Sequence, residues 1–292
     1  MQKPRQEVAC GRQAAGWQAK KDEPFLLLEC RRKKMSTKNL KKIYRSEKRA
    51  ARAEYKERMR RARNANELRL DEYYHITGEA RPKNPPKRSV LEEVGNSVTH
   101  GLGGIFGIVS LILMLVFAEG AAEVASAIIY SVGITVMFTV SCIYHALPHG
   151  RSAKRIFRRF DYTCIYILIG ATFAPSLLAY FGNTFGIVFF IIQWAVIALG
   201  ITLVGVFGPD KLRFIHIPLY VVLGWSALML LPSMINGALS MAMFILAGGI
   251  IYTLGIIPYA IKLRGSHFIW HFFVLAGAVV QWIGIFTTLY LG

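Results

Sequence analysis

Seven stretches of mostly apolar residues follow one another after Leu91. They run approximately His100–Phe117, Ala122–Tyr144, Tyr162–Phe181, Thr184–Phe207, Ile215–Leu231, Ala238–Ala260 and Phe268–Leu291. A helix rises about 1.5 Å per residue, so roughly 17–25 apolar residues cross the hydrocarbon core of a bilayer. Each run meets that length. Inside lipid the backbone must satisfy its own N–H and C=O groups, which restricts spanning structures to helices and closed barrels; runs this long are helices. The expected fold is all-α, a polytopic bundle of seven transmembrane helices.

Charge divides the chain in two. The formal net charge is +18, and only 9 of the 35 Lys and Arg residues lie after Leu91. Residues 1–90 are therefore expected to form a basic tail and residues 91–292 the membrane domain. The opening residues lack an apolar segment behind a basic start, so no secretory signal is expected. A short apolar patch, Pro24–Leu28, precedes the RRKK run at Arg31–Lys34, and Met35 offers a second plausible translation start. From Leu40 to Leu70 the tail is rich in Lys, Arg, Glu and Ala without Gly or Pro, the composition of a charged helix. Such a helix can lie near anionic lipid, bind phosphates of a nucleic acid, or be solvated without a partner. Anionic lipid is the preferred reading, and no nucleic acid is expected, because no recognisable binding module is present. Pro82, Pro85 and Pro86 end the helix before the membrane domain.

Orientation follows from the loops. Arg151, Lys154, Arg155, Arg158 and Arg159 fall between the second and third runs, Lys211 and Arg213 between the fourth and fifth, and Lys262 and Arg264 between the sixth and seventh. These are alternate loops, and the positive-inside rule then places the N-terminus in the cytoplasm and the C-terminus outside. A multi-pass cell-membrane protein with a cytoplasmic tail is the expected localisation.

In that topology the polar side chains collect on one side. His267 and His271 sit four residues apart at the start of the seventh run, so both imidazoles face one way. His145 lies at the end of the second run, with Ser141 one turn before it, and Asp161 lies at the start of the third. Ionisable groups at the bilayer boundary are costly and mark candidate functional sites. Each alone has a plain explanation: interfacial histidines satisfied by head groups, Asp161 paired with Arg158 or Arg159, Ser141 bonded to its own helix. Together at one depth they suggest chemistry. Three imidazoles match a catalytic zinc site that leaves its fourth position to water. Asp161 could ligate the metal directly or accept a proton from the water, and Ser141 could bond a ligand or a reacting carbonyl. His149 and His216 read as loop or interfacial residues, and His100 as a supporting or structural residue or, equally, a functional one. Cys142 and Cys164 read as small buried apolar residues; the four cysteines show neither CxxC spacing nor a disulfide framework. The sequence contains no HExxH, no phosphate-binding loop and no dinucleotide glycine motif.

The segments EEVGNSVTHGLG (Glu92–Gly103), SCIYH (Ser141–His145), the aspartate of RRFDYTCIYILIGATFAP (Arg158–Pro175), GGIIYTLGIIPY (Gly248–Tyr259) and HFIWH (His267–His271) carry a resemblance. Over about residues 88–292 the chain resembles the hemolysin III family, the bacterial branch of the progestin and adipoQ receptor (adiponectin receptor-like) superfamily. The resemblance implies seven helices and a cytoplasm-facing zinc ion on His145, His267 and His271. It also implies that Asp161 holds the water and Ser141 lies close by. It assigns no firm role to Glu93 or His100, and the basic tail has no counterpart in the compact bacterial pattern.

The expected function is zinc-dependent hydrolysis of a lipid amide or ester near the inner leaflet; the superfamily's likeness to ceramide hydrolases makes a ceramide-like substrate the first to consider. The alternatives are a non-enzymatic lipid sensor or regulator with structural zinc, and a haemolysin-like membrane protein.

Overall fold

The structure is a computed structural model, and it describes residues 37–77, 85–261 and 265–292. The apolar patch at 24–28, the RRKK run, Met35, Cys10, Cys30, Pro82, Lys262 and Arg264 lie outside the described residues. Close contacts divide the chain into two units, residues 1–82 and 83–292.

In the first unit, α1 spans Thr37–Thr77 as one helix of 41 residues, longer at both ends than the charged segment predicts. Wound at 3.6 residues per turn, it brings Lys41, Lys42, Arg45, Lys48, Arg49, Arg52 and Lys56 onto about a third of its circumference. Glu47 and Glu54 fall on the opposite side. On that side Arg58 bonds Glu54 at 2.8 Å and Arg61 bonds Glu57 at 2.6 Å, each one turn away. Exposed pairs of this kind contribute only about 0.3–0.5 kcal/mol each. The helix thus rests mainly on intrinsic propensity.

The second unit holds seven helices long and apolar enough to cross a membrane: α2 (Val90–Phe117), α3 (Ala121–Ala146), α4 (Ser152–Phe181), α5 (Thr184–Phe207), α6 (Arg213–Met234), α7 (Leu239–Ile261) and α8 (Ser266–Leu289). Two boundaries depart from the sequence expectation in ways that matter. Helix α2 opens at Val90, well before His100, because the Ser89 hydroxyl accepts from the Glu92 N–H at 3.2 Å and caps it. Helix α4 opens at Ser152, so Lys154, Arg155, Arg158 and Arg159 stand on its first turns and not in a loop. Elsewhere α4 passes into a π-helical turn at Pro175, and α6 tightens into a 3₁₀ turn over Ser226–Met229.

Side chains are sorted as a lipid solvent demands. Ile105, Ile112, Ile191, Ile192 and Leu199 are exposed, whereas Ser110, Ser131, Gln193 and Gln281 are buried. Hydroxyls join the helices: buried Ser110 and Ser131 lie 3.1 Å apart across α2 and α3, and half-buried Ser97 donates to the Cys142 carbonyl at 3.0 Å. Cys142 and Cys164 are free thiols, partly and fully buried. Small residues set the helix spacing. A methyl group on Gly133 of α3 would stand 2.3 Å from the Ala171 Cβ of α4, whereas one on Gly249 would meet nothing within 4 Å. Gly133→Ala should therefore destabilise the bundle by roughly 1–3 kcal/mol through overpacking. Gly249→Ala should be neutral or slightly stabilising, as Ala is the better helix former. Thermal unfolding in detergent checks the contrast; equal shifts would mean that α3 and α4 are not in close approach at Gly133.

Candidate metal centre

Helix direction alternates along the bundle, so the start of α2, the end of α3 and the starts of α4 and α8 meet at one face. His145 closes α3, while His267 and His271 occupy the first two turns of α8. Their ring centroids form a triangle of 4.7 Å (His145–His271), 4.7 Å (His267–His271) and 5.2 Å (His145–His267). The donor atoms of all three lie within 4.8 Å of one another, a set that could hold a metal ion. His267 Nε2 and His271 Nε2 are 3.1 Å apart. Two nitrogens bound to zinc at about 2.0–2.1 Å with tetrahedral angles stand about 3.3 Å apart. This pair already has about that spacing, and His145 brings the third donor within 4.8 Å of both. The rings also leave donor atoms without protein partners: His145 Nε2 and His271 Nδ1 are buried and make no hydrogen bond. A buried polar atom costs free energy unless something bonds it, and a metal ion satisfies the His145 Nε2 lone pair directly.

The surroundings fix the rings. His145 Nδ1 is 2.6 Å from Glu93 Oε2 on α2, and the Asn96 amide nitrogen stands 3.3 Å from the same atom. A carboxylate can only accept, so Nδ1 carries a proton; in the neutral imidazole this leaves the lone pair on Nε2. Lys154 of α4 in turn donates to Glu93 Oε1 at 2.8 Å. Side-chain exposure is 0% for His145, 1% for Lys154 and 16% for Glu93. Removing one member of so buried a pair typically costs about 3–5 kcal/mol. His100 lies flat against His271, with ring centroids 3.6 Å apart and planes 20° from parallel, and Phe138 meets His100 edge-on at 4.9 Å. His100 thus buttresses the centre from α2.

A cavity of about 200 Å³ opens beside the histidines, and Asp161, Ser141, His100, His267 and His271 line it. Its far end reaches Met234 and Gln281, the latter ten residues beyond His271, or about 15 Å along α8. Its walls come from α2, α3, α4, α6, α7 and α8 and are mostly apolar. Asp161 is not one of the close donor group; it stands on the cavity wall with Ser141. The ion pair that its sequence neighbours suggested is not made. Arg158 turns away to the Asp210 carboxylate, bonding Oδ2 through Nη1 and Oδ1 through Nη2, the latter at 2.6 Å, and Arg159 donates to the Gly205 carbonyl at 3.1 Å. Asp161 is left to the cavity.

Of the five residues singled out from the sequence, His267, His271, Asp161 and Ser141 line this space, and His145 packs against the two histidines of α8. The sequence reading missed Glu93, Asn96 and Lys154. A signal for the first two was present: Ser89-Val90-Leu91-Glu92 has the spacing of a helix-capping box, which moves the start of α2 outward and puts Glu93 and Asn96 on it. His216 stands on the first turn of α6 and not in a loop; it is fully buried, with Nδ1 3.0 Å from the Tyr166 hydroxyl. His149 does lie in the loop between α3 and α4, its Nε2 2.9 Å from the Pro85 carbonyl.

Known proteins resemble this chain in sequence. Residues 88–282 match the family described as Haemolysin-III related. A hemolysin-3 homolog of Bacillus subtilis (strain 168) is 30% identical over 200 residues, covering 66% of this chain and 92% of its own. Hemolysin-3 of Bacillus cereus is 29% identical over 197 residues, 66% of this chain and 89% of its own. The monocyte to macrophage differentiation factor of Homo sapiens, from the progestin and adipoQ receptor family, is 30% identical over 216 residues, 70% of this chain and 87% of its own. With seven apolar helices and a match that spans them, the chain is a multi-pass membrane protein and belongs to the haemolysin-III-related family.

Proposed function

We propose that this protein is a zinc-dependent hydrolase of a membrane lipid amide or ester. The observation that carries the proposal is the cluster of three imidazoles, two of which (His267 and His271) open on one apolar cavity that Asp161, a carboxylate without an ion pair among the described residues, also lines. A zinc ion held by His145, His267 and His271 would supply a water with a pKa lowered toward about 7 and would polarise a carbonyl. The chain's own residues do the rest. The cavity takes an acyl chain and keeps bulk water from the reacting group. Asp161 accepts a proton from the attacking water as the new C–O bond forms at the carbonyl carbon. The same carboxyl then returns that proton to the departing nitrogen or oxygen as the old bond breaks, releasing a fatty acid and an amine or alcohol. Ser141, beside Asp161, orients the carboxylate or the carbonyl through its hydroxyl. The test is release of fatty acid from ceramides, phospholipids and acylated small molecules by purified protein, with and without zinc. Ceramides head the panel, as amides whose two chains suit entry from the lipid. Release that ignores zinc, or its absence on every lipid from folded, zinc-loaded protein, would overturn the proposal.

A structural role for zinc, in a lipid sensor, has one observation in its favour: the three histidines come from α3 and α8 and would clamp the two helices together. The cavity and Asp161 then have no assigned purpose, so hydrolysis is the stronger reading. The printed names of the bacterial relatives refer to haemolysis by those proteins, and no feature of this bundle calls for it.

The orientation and the tail are proposed together. With the N-terminus cytoplasmic, the zinc centre lies near the inner leaflet and the basic face of α1 meets anionic head groups. A tag at Met1 should then be reached only from the cytoplasmic side and a tag at Gly292 only from outside. In nanodiscs, tryptic cleavage between Lys41 and Lys56 should slow when neutral lipid is replaced by anionic lipid and recover with salt. Each basic residue near such a surface is held by about 1 kcal/mol, within a Debye length. Both ends on one side would remove the orientation, and cleavage indifferent to lipid charge would remove the surface contact.

A further inference from the structure

Lys154 is almost wholly enclosed, with 1% of its surface exposed, and the proposed reaction makes no use of it. A lysine so placed needs a reason, because burying an ammonium is costly unless it is paired and hydrogen-bonded. Its Nζ donates to Glu93 Oε1 at 2.8 Å and to the Leu147 carbonyl, just past the end of α3, at 2.9 Å, and stands 5.0 Å from the centre of the Tyr144 ring. One ammonium on the first turn of α4 thus gathers the start of α2 and the end of α3. The Glu93 carboxylate is divided between two donors: Oε1 goes to Lys154, and Oε2 goes to His145 Nδ1 at 2.6 Å.

We propose that Lys154 is a positioning residue for the metal centre. By occupying one oxygen of Glu93 it fixes the carboxylate's rotation, so that the other oxygen holds His145 with Nε2 turned toward His267 and His271. The inference rests on the zinc reading above and adds a residue from a fourth helix that touches no ligand atom. Carboxylates behind metal-binding histidines are typically worth about 10–100-fold in metal affinity, and Lys154 acts on that same quantity through Glu93. Arginine would not serve equally, since its planar fork spans both oxygens of a carboxylate and would compete with His145.

The experiment measures zinc affinity of the whole protein in detergent by competition with a chromophoric chelator, together with the visible spectrum of the cobalt(II)-loaded protein. Lys154→Met keeps length and apolar bulk without the charge. It should weaken zinc binding about 10-fold and shift the cobalt bands. Glu93→Gln should do at least as much, and the double variant should bind zinc no more weakly than Glu93→Gln alone, because the two act in series. A lysine that merely fastens the helix ends would lower thermal stability equally with and without zinc and leave affinity and spectrum unchanged, which would overturn the inference. If Lys154→Met does not fold, Glu93→Gln decides: unchanged zinc affinity and cobalt bands there would also overturn it. Failure of the wild-type protein to bind zinc would defeat the underlying reading as well, whereas normal binding by wild type and variants alike defeats only the role of Lys154.

Discussion

Wild-type protein should purify with about one zinc per chain, and His145→Ala, His267→Ala and His271→Ala should each strip most of it. Three histidine donors are the usual minimum for a tight catalytic zinc site, and each substitution leaves two. The loss should exceed the roughly 10–100-fold expected for an outer partner such as Glu93. The direction differs for Asp161. It lies outside the close donor group, so Asp161→Asn should keep its zinc. Elemental analysis after chelation and reloading separates these cases. Metal content unchanged in all three histidine variants would show that the buried donors serve something other than zinc. Metal lost from Asp161→Asn would make the aspartate a direct ligand. His100→Ala is an internal control: its ring stacks on His271 and lies outside the close donor group, and its removal should weaken zinc less than the loss of any ligand.

What the sequence disclosed follows from how strongly lipid constrains it. Apolar length marks a spanning helix with little ambiguity, and alternation of direction places His145 and His267 on one face without any knowledge of packing. The ends of the helices were harder to read. Hydropathy falls where charged residues begin, so Lys154 and Glu93 looked like loop and flank, although both stand on helices and turn inward. Each is tolerated there because the other neutralises it, a pairing between positions 61 residues apart that no local pattern contains. The contact of His216 is hidden for a similar reason: its partner, Tyr166, lies on another helix. The freeing of Asp161 also depended on distant structure, since it requires Asp210 to draw Arg158 away. Composition and spacing thus identify the candidate ligands, whereas the groups that aim them become visible only through tertiary contacts.

Asp161→Asn should abolish most lipid hydrolysis while leaving the fold and the metal in place. The amide has nearly the carboxylate's shape, so the cavity wall is preserved, but it cannot take the proton from the attacking water at neutral pH. General acid–base groups are typically worth about 10²–10⁴-fold, and the loss should appear in kcat more than in KM, because the acyl chain is held by the apolar wall and not by Asp161. Ser141→Ala should cost less, since a hydroxyl that only orients its neighbour contributes roughly one hydrogen bond, about 0.5–1.5 kcal/mol or up to about tenfold. Fatty-acid release by zinc-loaded wild type, Ser141→Ala and Asp161→Asn, measured on the same ceramide and ester substrates, should therefore fall in that order. Equal turnover in wild type and Asp161→Asn would mean a contaminating hydrolase or a reaction that bypasses this carboxylate. A fall in KM-dependent binding with kcat unchanged would instead make Asp161 a contact for the lipid's polar group, and the proton would have to go to another base.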